Sequence, residues 1–438
     1  MNAREAALAV LDRCRRDGAW SGAAIDNIIK KAELDRRDGA LASRLSLGVM
    51  QNCALCDYYI GCYCSCGIKK LEPRVLDIIR LGVYQLLFLD RVPARAAVNE
   101  SVALCRSSGC SRAAGLVNAV LRRISENTEN LPEIKAAGDA ELLSIKYSHP
   151  QWIVERIIAE KGADFAEHFL QCNNEPSALS IVVNTLKCTA EEYKSLLSAA
   201  GIQFKCHPFL SDCLILDGGS VTELPGYEDG FFYVQDSSAR TAVEIAAPKR
   251  GMMVLDACAA PGGKSFSAAI LMHNEGSILS CDIHEKKLRL VREGARRLGI
   301  AVIETLARDA RQPDGEMDDK FDLVLADVPC SGFGLMGKKP EIRYKKESEI
   351  AGLPKIQLEI LKNLASFVKP GGHMVYSTCT ILRAENEAVV EQFLKENKNF
   401  AAEEFSIGDI RSAGGMYTFW PNIDSGDGFF TAKLVRTK

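Results

Sequence analysis

The 438-residue chain lacks several features that define large classes of protein. No stretch approaches the roughly 18 consecutive apolar residues of a membrane-spanning helix, and the nearest is the short run LGVYQLLFL at 81–89. Residues 1–18 lack the unbroken apolar core and the small-residue cleavage site of a signal peptide. We therefore expect a cytoplasmic protein that does not enter a membrane.

A strong excess of positive charge is also missing. The net charge of −3 argues against a grossly basic nucleic-acid binder. The first third of the chain carries a mild excess of Lys and Arg, which permits RNA contact without demonstrating it. Low-complexity tracts and internal repeats are absent from the sequence too, and compact domains run to roughly 100–200 residues, so two or three ordinary domains are expected.

Cysteine is abundant, with 16 residues, but no export signal accompanies it, so we interpret these cysteines as reduced thiols. The densest group comprises Cys53, Cys56, Cys62, Cys64 and Cys66. Its first pair has the spacing of zinc ligands, yet no second C-x-x-C follows and no histidine lies nearby. We favour small apolar side chains in a helical core over a zinc site, and predict no metal.

Hydrophobic periodicity divides the chain into three segments. Residues 1–130 show helical spacing throughout, which predicts an all-α domain of several packed helices. Residues 131–232 predict a linker and a small α+β domain, in which Thr189 and Glu192 have capping-box spacing at the start of a helix. In residues 233–438 apolar strands alternate with helices and one more strand ends the chain. This pattern predicts a parallel, doubly wound, Rossmann-like α/β sheet with ligands beyond the carboxyl ends of its strands.

The stretch DACAAPGGKS (256–265) follows the first strand of that sheet and opens its first helix. Gly262 and Gly263 let the backbone turn tightly and approach a ligand, and the helix start offers unpaired N–H groups to an anion. The glycine spacing of dinucleotide-binding loops and of P-loops is missing. A nucleotide phosphate is therefore not the best ligand.

Aspartates end the next three strands, at Asp282, Asp309 and Asp327. Each alone is commonly a turn or cap residue. Three in succession along one sheet edge favour a cofactor that carries a ribose and a positively charged group. S-adenosylmethionine fits, because its amine and sulfonium are positive and its carboxylate suits the glycine loop.

Two cysteines follow strands of the same sheet: Cys330 in DVPCSGFG (327–334) and Cys379 in YSTCT (376–380). Adjacent strand ends would bring both thiols to one cleft, so on geometry either is a plausible nucleophile. The alternative is a pair of buried, inert cysteines, which is common for this residue type.

The motifs CAAPGGK, DVPCSG and STCT, in this order on one α/β sheet, resemble the RNA 5-methylcytosine methyltransferases. RLGVYQLLFLDRVPARAAVNESV and GLVNAVLRR are similar to the NusB-like RNA-binding domain that precedes the methyltransferase in the Sun/Fmu group, the small-subunit ribosomal RNA methyltransferase B proteins. The resemblance spans nearly the full chain. It implies a class I methyltransferase fold, S-adenosylmethionine as cofactor, and methylation of C5 of a single-stranded or loop cytosine in 16S ribosomal RNA by a monomer.

The resemblance also implies roles for individual residues. Cys379 would attack C6 of the cytosine, Cys330 would help to release the adduct, and Asp327 would engage the base near N3. The cofactor site would comprise three aspartates and the glycine loop: Asp282, Asp309, Asp327, Cys258, Ala259, Ala260, Pro261, Gly262, Gly263 and Lys264. Lys264 would orient the substrate or the cofactor, or only balance the charge of the loop; the sequence leaves this open.

Two positions depart from the family pattern. Val182 stands where an arginine is usual, which puts one RNA contact in doubt, and Phe333 stands where a threonine is common, which could alter loop packing. The rival interpretations are the same chemistry on transfer RNA or large-subunit RNA, and an RNA-binding assembly or antitermination factor. A DNA methyltransferase is disfavoured, because only about sixty residues follow Cys379, too few for an independent recognition domain.

Overall fold

The computed structural model of the chain describes residues 1–176, 178–424 and 426–438. The chain forms two compact units. The helical unit comprises Met1–Glu175 and Met336–Tyr344, and the sheet unit comprises Pro176–Leu335 and Lys345–Lys438. Within the described ranges, no helix combines the length and the apolar character needed to cross a membrane.

The helices between residues 3 and 125 share one apolar core, which confirms the predicted all-α domain. The helices of the helical unit are α1 (Ala3–Asp17), α2 (Ser21–Ala32), α3 (Arg36–Gln51), α4 (Cys53–Tyr63), α5 (Pro73–Phe88), α6 (Ala94–Ser107), α7 (Ala114–Ser125), α8 (Asp139–Tyr147), α9 (Gln151–Lys161) and α10 (Ala163–Cys172). Asn2 and Glu5 form a capping box that starts α1, and Gly18 ends it in the left-handed conformation. Pro73 occupies the first turn of α5, where its missing N–H costs no hydrogen bond.

One segment from the C-terminal half of the chain, Met336–Tyr344, belongs to the helical unit. Arg343 anchors it: the guanidinium is 4% exposed and donates hydrogen bonds to the carbonyl oxygens of Gln51, Tyr147 and Asn173. Burial among carbonyl groups lowers the pKa of Arg343 to about 10. Residues 336–344, a few positions after Cys330, are therefore fixed in the helical unit. The sequence patterns did not indicate this arrangement.

The sheet unit begins with a four-stranded antiparallel sheet of order β2-β3-β1-β4. Its elements are β1 (Leu179–Val183), α11 (Ala190–Ala199), β2 (Phe204–Cys206), β3 (Cys213–Leu216) and β4 (Phe232–Val234). Thr189 and Glu192 form the predicted capping box at the start of α11. This small sheet with its helix confirms the predicted α+β fold of the middle segment, although the boundaries at 130 and 232 stay predictions.

The larger sheet carries the predicted alternation of strands and helices. Its elements are α12 (Ser237–Ala246), β5 (Met253–Asp256), α13 (Gly263–Leu271), β6 (Ser277–Asp282), α14 (Glu285–Leu298), β7 (Ile303–Ala307), β8 (Phe321–Asp327), α15 (Glu347–Ile350), α16 (Leu353–Ala365), β9 (Val368–Thr378), α17 (Glu387–Glu396), β10 (Phe400–Ala402), β11 (Ser406–Ile407), β12 (Ile410–Arg411), β13 (Met416–Phe419) and β14 (Phe429–Arg436). The strand order is β10-β14-β9-β8-β5-β6-β7, and β13 pairs with β14.

The strands from β9 to β7 in this order are parallel, as the alternation predicts. Strand β14 runs antiparallel to β9, β10 and β13. The connection from β13 to β14 is shorter than the dozen or so residues that a parallel crossover requires, so the two strands form an antiparallel pair. The sheet is therefore mixed, with antiparallel strands on one side of a parallel centre.

Candidate active site

The carboxyl ends of the central parallel strands lie at one edge of the sheet. Strand β5 ends at Asp256, β6 at Asp282, β8 at Asp327 and β9 at Thr378. Asp327 pairs in register with Ser377, so the residues that follow β8 and β9 emerge side by side. This edge is where ligands bind in open α/β sheets.

The two cysteines predicted as reactive lie in contact. Cys330 Sγ and Cys379 Sγ are 3.2 Å apart, although 49 residues separate them in sequence, and both side chains are partly buried. The pKa of the Cys330 thiol is raised well above its usual value, first by the neighbouring Cys379 thiol and then by burial. At this separation either thiol can donate a hydrogen bond to the other.

Asp327 lies beside the cysteines with both carboxylate oxygens engaged. Lys264 Nζ donates to Oδ2 at 2.7 Å, and Ser377 Oγ donates to Oδ1 at 2.9 Å. Lys264 Nζ also lies 4.9 Å from the centroid of the Phe429 ring. Lys264 thus connects the glycine loop to the acid next to the thiols, a contact that the sequence did not reveal.

The glycine loop has the conformation that its glycines were expected to allow. Gly262 has φ +119°, and a Cβ atom there would lie 2.4 Å from the Phe266 ring, so only glycine fits. Gly263 begins α13, and the peptide bond between Ala260 and Pro261 is cis. The loop therefore presents backbone rather than side chains at the start of a helix, which suits a carboxylate-bearing ligand.

Cys258, Asp282 and Asp309 differ in their surroundings. Burial raises the pKa of Cys258 well above its usual value, so this thiol stays neutral. The Asp282 side chain is 9% exposed and accepts a hydrogen bond from the backbone N–H of His284. Asp309 lies two residues beyond β7 and is paired with Arg311, whose guanidinium holds the pKa of the carboxyl below its usual range. The structure thus gives Asp327, but not Asp309, a direct contact with the glycine loop.

Asp256 was missed as a candidate by the sequence interpretation. It is fully buried, its Oδ2 accepts from Ser265 Oγ at 2.6 Å, and its Oδ1 has no hydrogen-bond partner among the residues that the structure describes. Burial raises its pKa to about 6. An orphan acceptor at the base of the glycine loop fits a cofactor that brings a donor. Asp256 ends β5 as Asp282 and Asp327 end their strands, so the same signal could have found it.

The loop that carries Cys330 is held from behind by two residues that no local pattern indicated. Gln357 Nε2 donates to the carbonyl oxygen of Pro329 and to Glu385 Oε2, at 3.0 and 2.9 Å. Glu385 Oε2 also accepts from the backbone N–H of Ser331 at 2.9 Å. Gln357 and Glu385 are at most 1% exposed. They fix the backbone on both sides of the thiol, a role that depends on long-range contacts.

Both departures from the family pattern lie in the interior. Val182 and Phe333 are fully buried, so neither side chain is available to RNA.

In the cysteine-rich segment, Cys64 Sγ and Cys66 Sγ are 3.3 Å apart, and Cys62 and Cys66 are exposed. Across the described ranges, no three His, Cys, Asp or Glu side chains are grouped to hold a metal ion.

Three family models match the sequence in succession. Residues 1–126 match the NusB family, residues 149–222 match the ferredoxin-like domain described as Methyltr RsmF/B-like, and residues 243–435 match the family described as 16S rRNA methyltransferase RsmB/F. The matched ranges follow the order of the helical domain, the small sheet and the larger sheet. The similarity therefore extends to all three segments of the chain and is not confined to the catalytic motifs.

Relatives and solved structures agree with these matches. The chain is 35% identical to the "Probable ribosomal RNA small subunit methyltransferase B" of Bacillus subtilis, over 98% of both chains. It is 34% identical to the protein of the same name from Synechocystis, over the full length of both. The crystal structure of PH0851 superposes with a TM-score of 0.81 at 27% identity, over 98% of both chains. A methyltransferase homologue from Pyrococcus horikoshii has a TM-score of 0.61 at 27% identity, over 69% of this chain and all of that one.

Proposed function

Because the chain belongs to the 16S rRNA methyltransferase RsmB/F family, we propose that it transfers a methyl group from S-adenosylmethionine to C5 of a cytosine in 16S ribosomal RNA. The observation that carries this proposal is the contact of Cys330 and Cys379 at 3.2 Å beside Asp327. The target lies in a single strand or loop, where turning a base out of its stack costs least, and the enzyme acts as a monomer.

Cytosine C5 is a poor nucleophile, and a thiol is what the reaction needs to activate it. Addition of the Cys379 thiolate to C6 breaks the C5–C6 double bond and makes C5 enamine-like. S-adenosylmethionine, when bound, supplies the electrophilic methyl group. Loss of the C5 proton and of the Cys379 thiolate then restores the aromatic ring.

Cys330 assists the release of the Cys379 thiolate, and Asp327 binds the base for the attack. The raised pKa of Cys330 keeps its proton in place, and a neutral S–H 3.2 Å from Cys379 Sγ stabilises the thiolate as it leaves. Asp327 engages N3 and the exocyclic amine of the base. A carboxyl group at N3 must donate or share a proton, and Lys264 Nζ, 2.7 Å from Asp327, provides the adjacent donor.

The glycine loop and the strand-end acids would hold the cofactor. Backbone groups from Cys258 to Lys264 would receive its carboxylate, and Asp282 would accept from the ribose hydroxyls. Asp309 would complete the set of acids at this edge of the sheet. The orphan Oδ1 of Asp256 supports this fit, because a bound amine would satisfy it.

The activity is tested with purified protein, S-adenosylmethionine and unmodified 16S rRNA, with transfer RNA and 23S rRNA in parallel reactions. Bisulfite sequencing should show one new 5-methylcytosine in the 16S rRNA only. Methylation of another RNA instead would overturn the substrate. Failure to bind S-adenosylmethionine in calorimetry would overturn the enzymatic proposal and favour an RNA-binding assembly factor.

The assignment of the two thiols is tested on a denaturing gel. Cys330→Ala should accumulate a covalent protein–RNA complex, because the attack proceeds and the release is slowed. Cys379→Ala should form no such complex. The opposite pattern would exchange the two roles.

A further inference from the structure

The sheet unit holds a second concavity next to the reactive thiols. Its volume is about 210 Å³. The residues that matter for its chemistry are Phe209, Ser238, Asp409, Tyr417, Phe419 and Ile423. None of them belongs to the methyl-transfer site described above.

The cavity and the thiol pair are connected through one apolar cluster. Phe419, which lines the cavity, belongs to this cluster with Phe429, and Cys379 packs against it together with Phe209 and Tyr417. The centroids of the Phe419 and Phe429 rings are 6.2 Å apart, and the Phe429 ring lies under Lys264 Nζ. A ligand in this cavity would therefore contact the same cluster that supports Cys379.

The size and the aromatic lining indicate a single flat ring system. Pockets for drug-sized ligands measure roughly 300–1,000 Å³, so a cavity of about 210 Å³ suits one smaller group. The rings of Tyr417 and Phe419 are 4.9 Å apart and nearly perpendicular, and those of His207 and Phe209 are arranged in the same way at 4.5 Å. Aromatic side chains of this kind stack on the bases of unpaired RNA.

The polar groups of the cavity exclude a phosphate. Asp236 caps α12 and accepts hydrogen bonds from the backbone N–H groups of Ser238 and Asp427, so these donors are already engaged. Asp409 and Asp424 add negative charge to the lining. A phosphate inside the cavity would be repelled, whereas a neutral base with donor groups, whose phosphate stays outside the cavity, would be attracted.

One carboxylate of the lining, that of Asp409, remains available to accept hydrogen bonds from such a ligand. Asp424 accepts from the backbone N–H of Trp420 and from the Tyr417 hydroxyl. Asp409 is exposed and, within the described part of the chain, makes no hydrogen bond or ion pair. A carboxylate only accepts hydrogen bonds. It therefore selects a base with an exocyclic amine over one without.

We propose that this cavity binds an amine-bearing nucleobase, adenine, cytosine or guanine, of a nucleotide that flanks the target cytosine. The inference rests on the proposed function, since it assigns a second contact to the same RNA. A target base turned out of its stack leaves its neighbours unstacked. An aromatic cavity beside the thiols recovers that stacking and fixes which cytosine is presented.

The test is an abasic scan of the 16S rRNA fragment that contains the methylated cytosine. On the wild-type enzyme, removing the base at one position within three nucleotides of the target should lower kcat/KM about tenfold, mainly through KM. In Tyr417→Leu the same removal should cost less than twofold, because the stacking partner is already lost. Tyr417→Phe keeps the ring and should keep the tenfold ratio, as should Trp20→Leu in the helical unit.

Replacing the sensitive base by another base gives a second measurement. It uses an exposed substitution, so the packing of the protein core is not disturbed. Uracil at the sensitive position should lower kcat/KM about fivefold on the wild-type enzyme, and Asp409→Asn, an exposed substitution, should remove this preference. If the fragment is methylated but no flanking position is sensitive, or if the abasic penalty persists in Tyr417→Leu, the cavity is not a base site. If the wild-type enzyme methylates no fragment, the proposed function itself fails.

Discussion

Two pairs of cysteines in this protein have almost the same separation and opposite settings. In the sheet unit, Cys330 Sγ and Cys379 Sγ are 3.2 Å apart across two neighbouring strand ends. In the helical unit, Cys64 Sγ and Cys66 Sγ are 3.3 Å apart because they are two residues apart in the chain. The distance between the sulfur atoms alone therefore does not predict which pair reacts.

The surroundings make the difference. The Cys330–Cys379 pair lies next to Asp327, whose carboxylate is bound by Lys264 and Ser377. The Sγ atoms of Cys64 and Cys66 contact each other, and Cys66 Sγ donates to the carbonyl oxygen of Gly67. Catalysis needs a thiol together with groups that bind the base and move protons. Among the residues that the structure describes, the pair in the sheet unit has a carboxylate, an ammonium and a hydroxyl group close by.

The comparison is tested most severely by removing one thiol from each pair. Cys379→Ala should lower the methylation rate by at least about 10⁴-fold, because the variant lacks the thiol that is proposed to add to C6. Cys66→Ala should change it less than twofold, since the side chain is exposed and lies in the other unit. The measurement is transfer of labelled methyl to 16S rRNA under single-turnover conditions. A comparable loss in Cys66→Ala would show that the helical pair takes part in the reaction.

The acid beside the thiols should matter nearly as much as the nucleophile. Asp327→Asn keeps the shape of the side chain but weakens the contact with Lys264 and the proton sharing at N3, so kcat should fall about 10²- to 10³-fold. Asp309→Asn is the matched control, because Asp309 lies two residues beyond β7 in the same sheet but is paired with Arg311. Its effect should be confined to a higher KM for the cofactor. Equal losses of kcat in both variants would mean that Asp327 acts through charge at the sheet edge rather than through contact.

The buried Asp256 carboxyl at the base of the glycine loop should lower the stability of the folded protein at high pH. Folding raises its pKa from 3.8 to about 6, so its contribution to stability is complete below pH 3.8 and is lost as the pH rises through about 6. Asp256→Asn is neutral at every pH and can still accept from Ser265. It should be more stable than the wild type by about 1–3 kcal/mol at pH 8, with no such gain at pH 4.

Thermal unfolding at the two pH values measures this difference, and calorimetry should show weaker cofactor binding in the same variant. A variant that is less stable at pH 8 would mean that the charged carboxylate has a partner in solution. The effect would then be structural, and Asp256 would not be assigned to the cofactor.

The sequence predicted that the two thiols and Asp327 lie together because strand ends in a parallel sheet share one edge, while the catalytic roles of these residues stay predictions. The apolar strands and the glycine loop were local signals, and Cys330, Cys379 and Asp327 followed from them. Asp256 carried the same strand-end signal and was overlooked.

Other features had no local signal at all. The support of the Cys330 loop by Gln357 and Glu385 joins residues 28 apart in sequence. The anchoring of Arg343 to the carbonyl of Gln51 spans 292 residues. The antiparallel placement of β14 depends on how the chain returns to the sheet after β13, which periodicity does not encode. Each of these features depends on contacts between residues far apart in the chain. Local patterns in a single sequence do not reveal such contacts.

The smallest expected effect concerns the helical pair itself. Cys66→Ser replaces an exposed thiol, so the free energy of unfolding should change by less than about 0.5 kcal/mol. Because a ligand that binds only the folded state raises Tm, equimolar zinc should leave Tm unchanged in both the wild type and this variant. A zinc-dependent rise in the wild type that Cys66→Ser abolishes would establish a metal site around Cys64 and Cys66. The two cysteine pairs would then differ in ligand, rather than in whether they have a function.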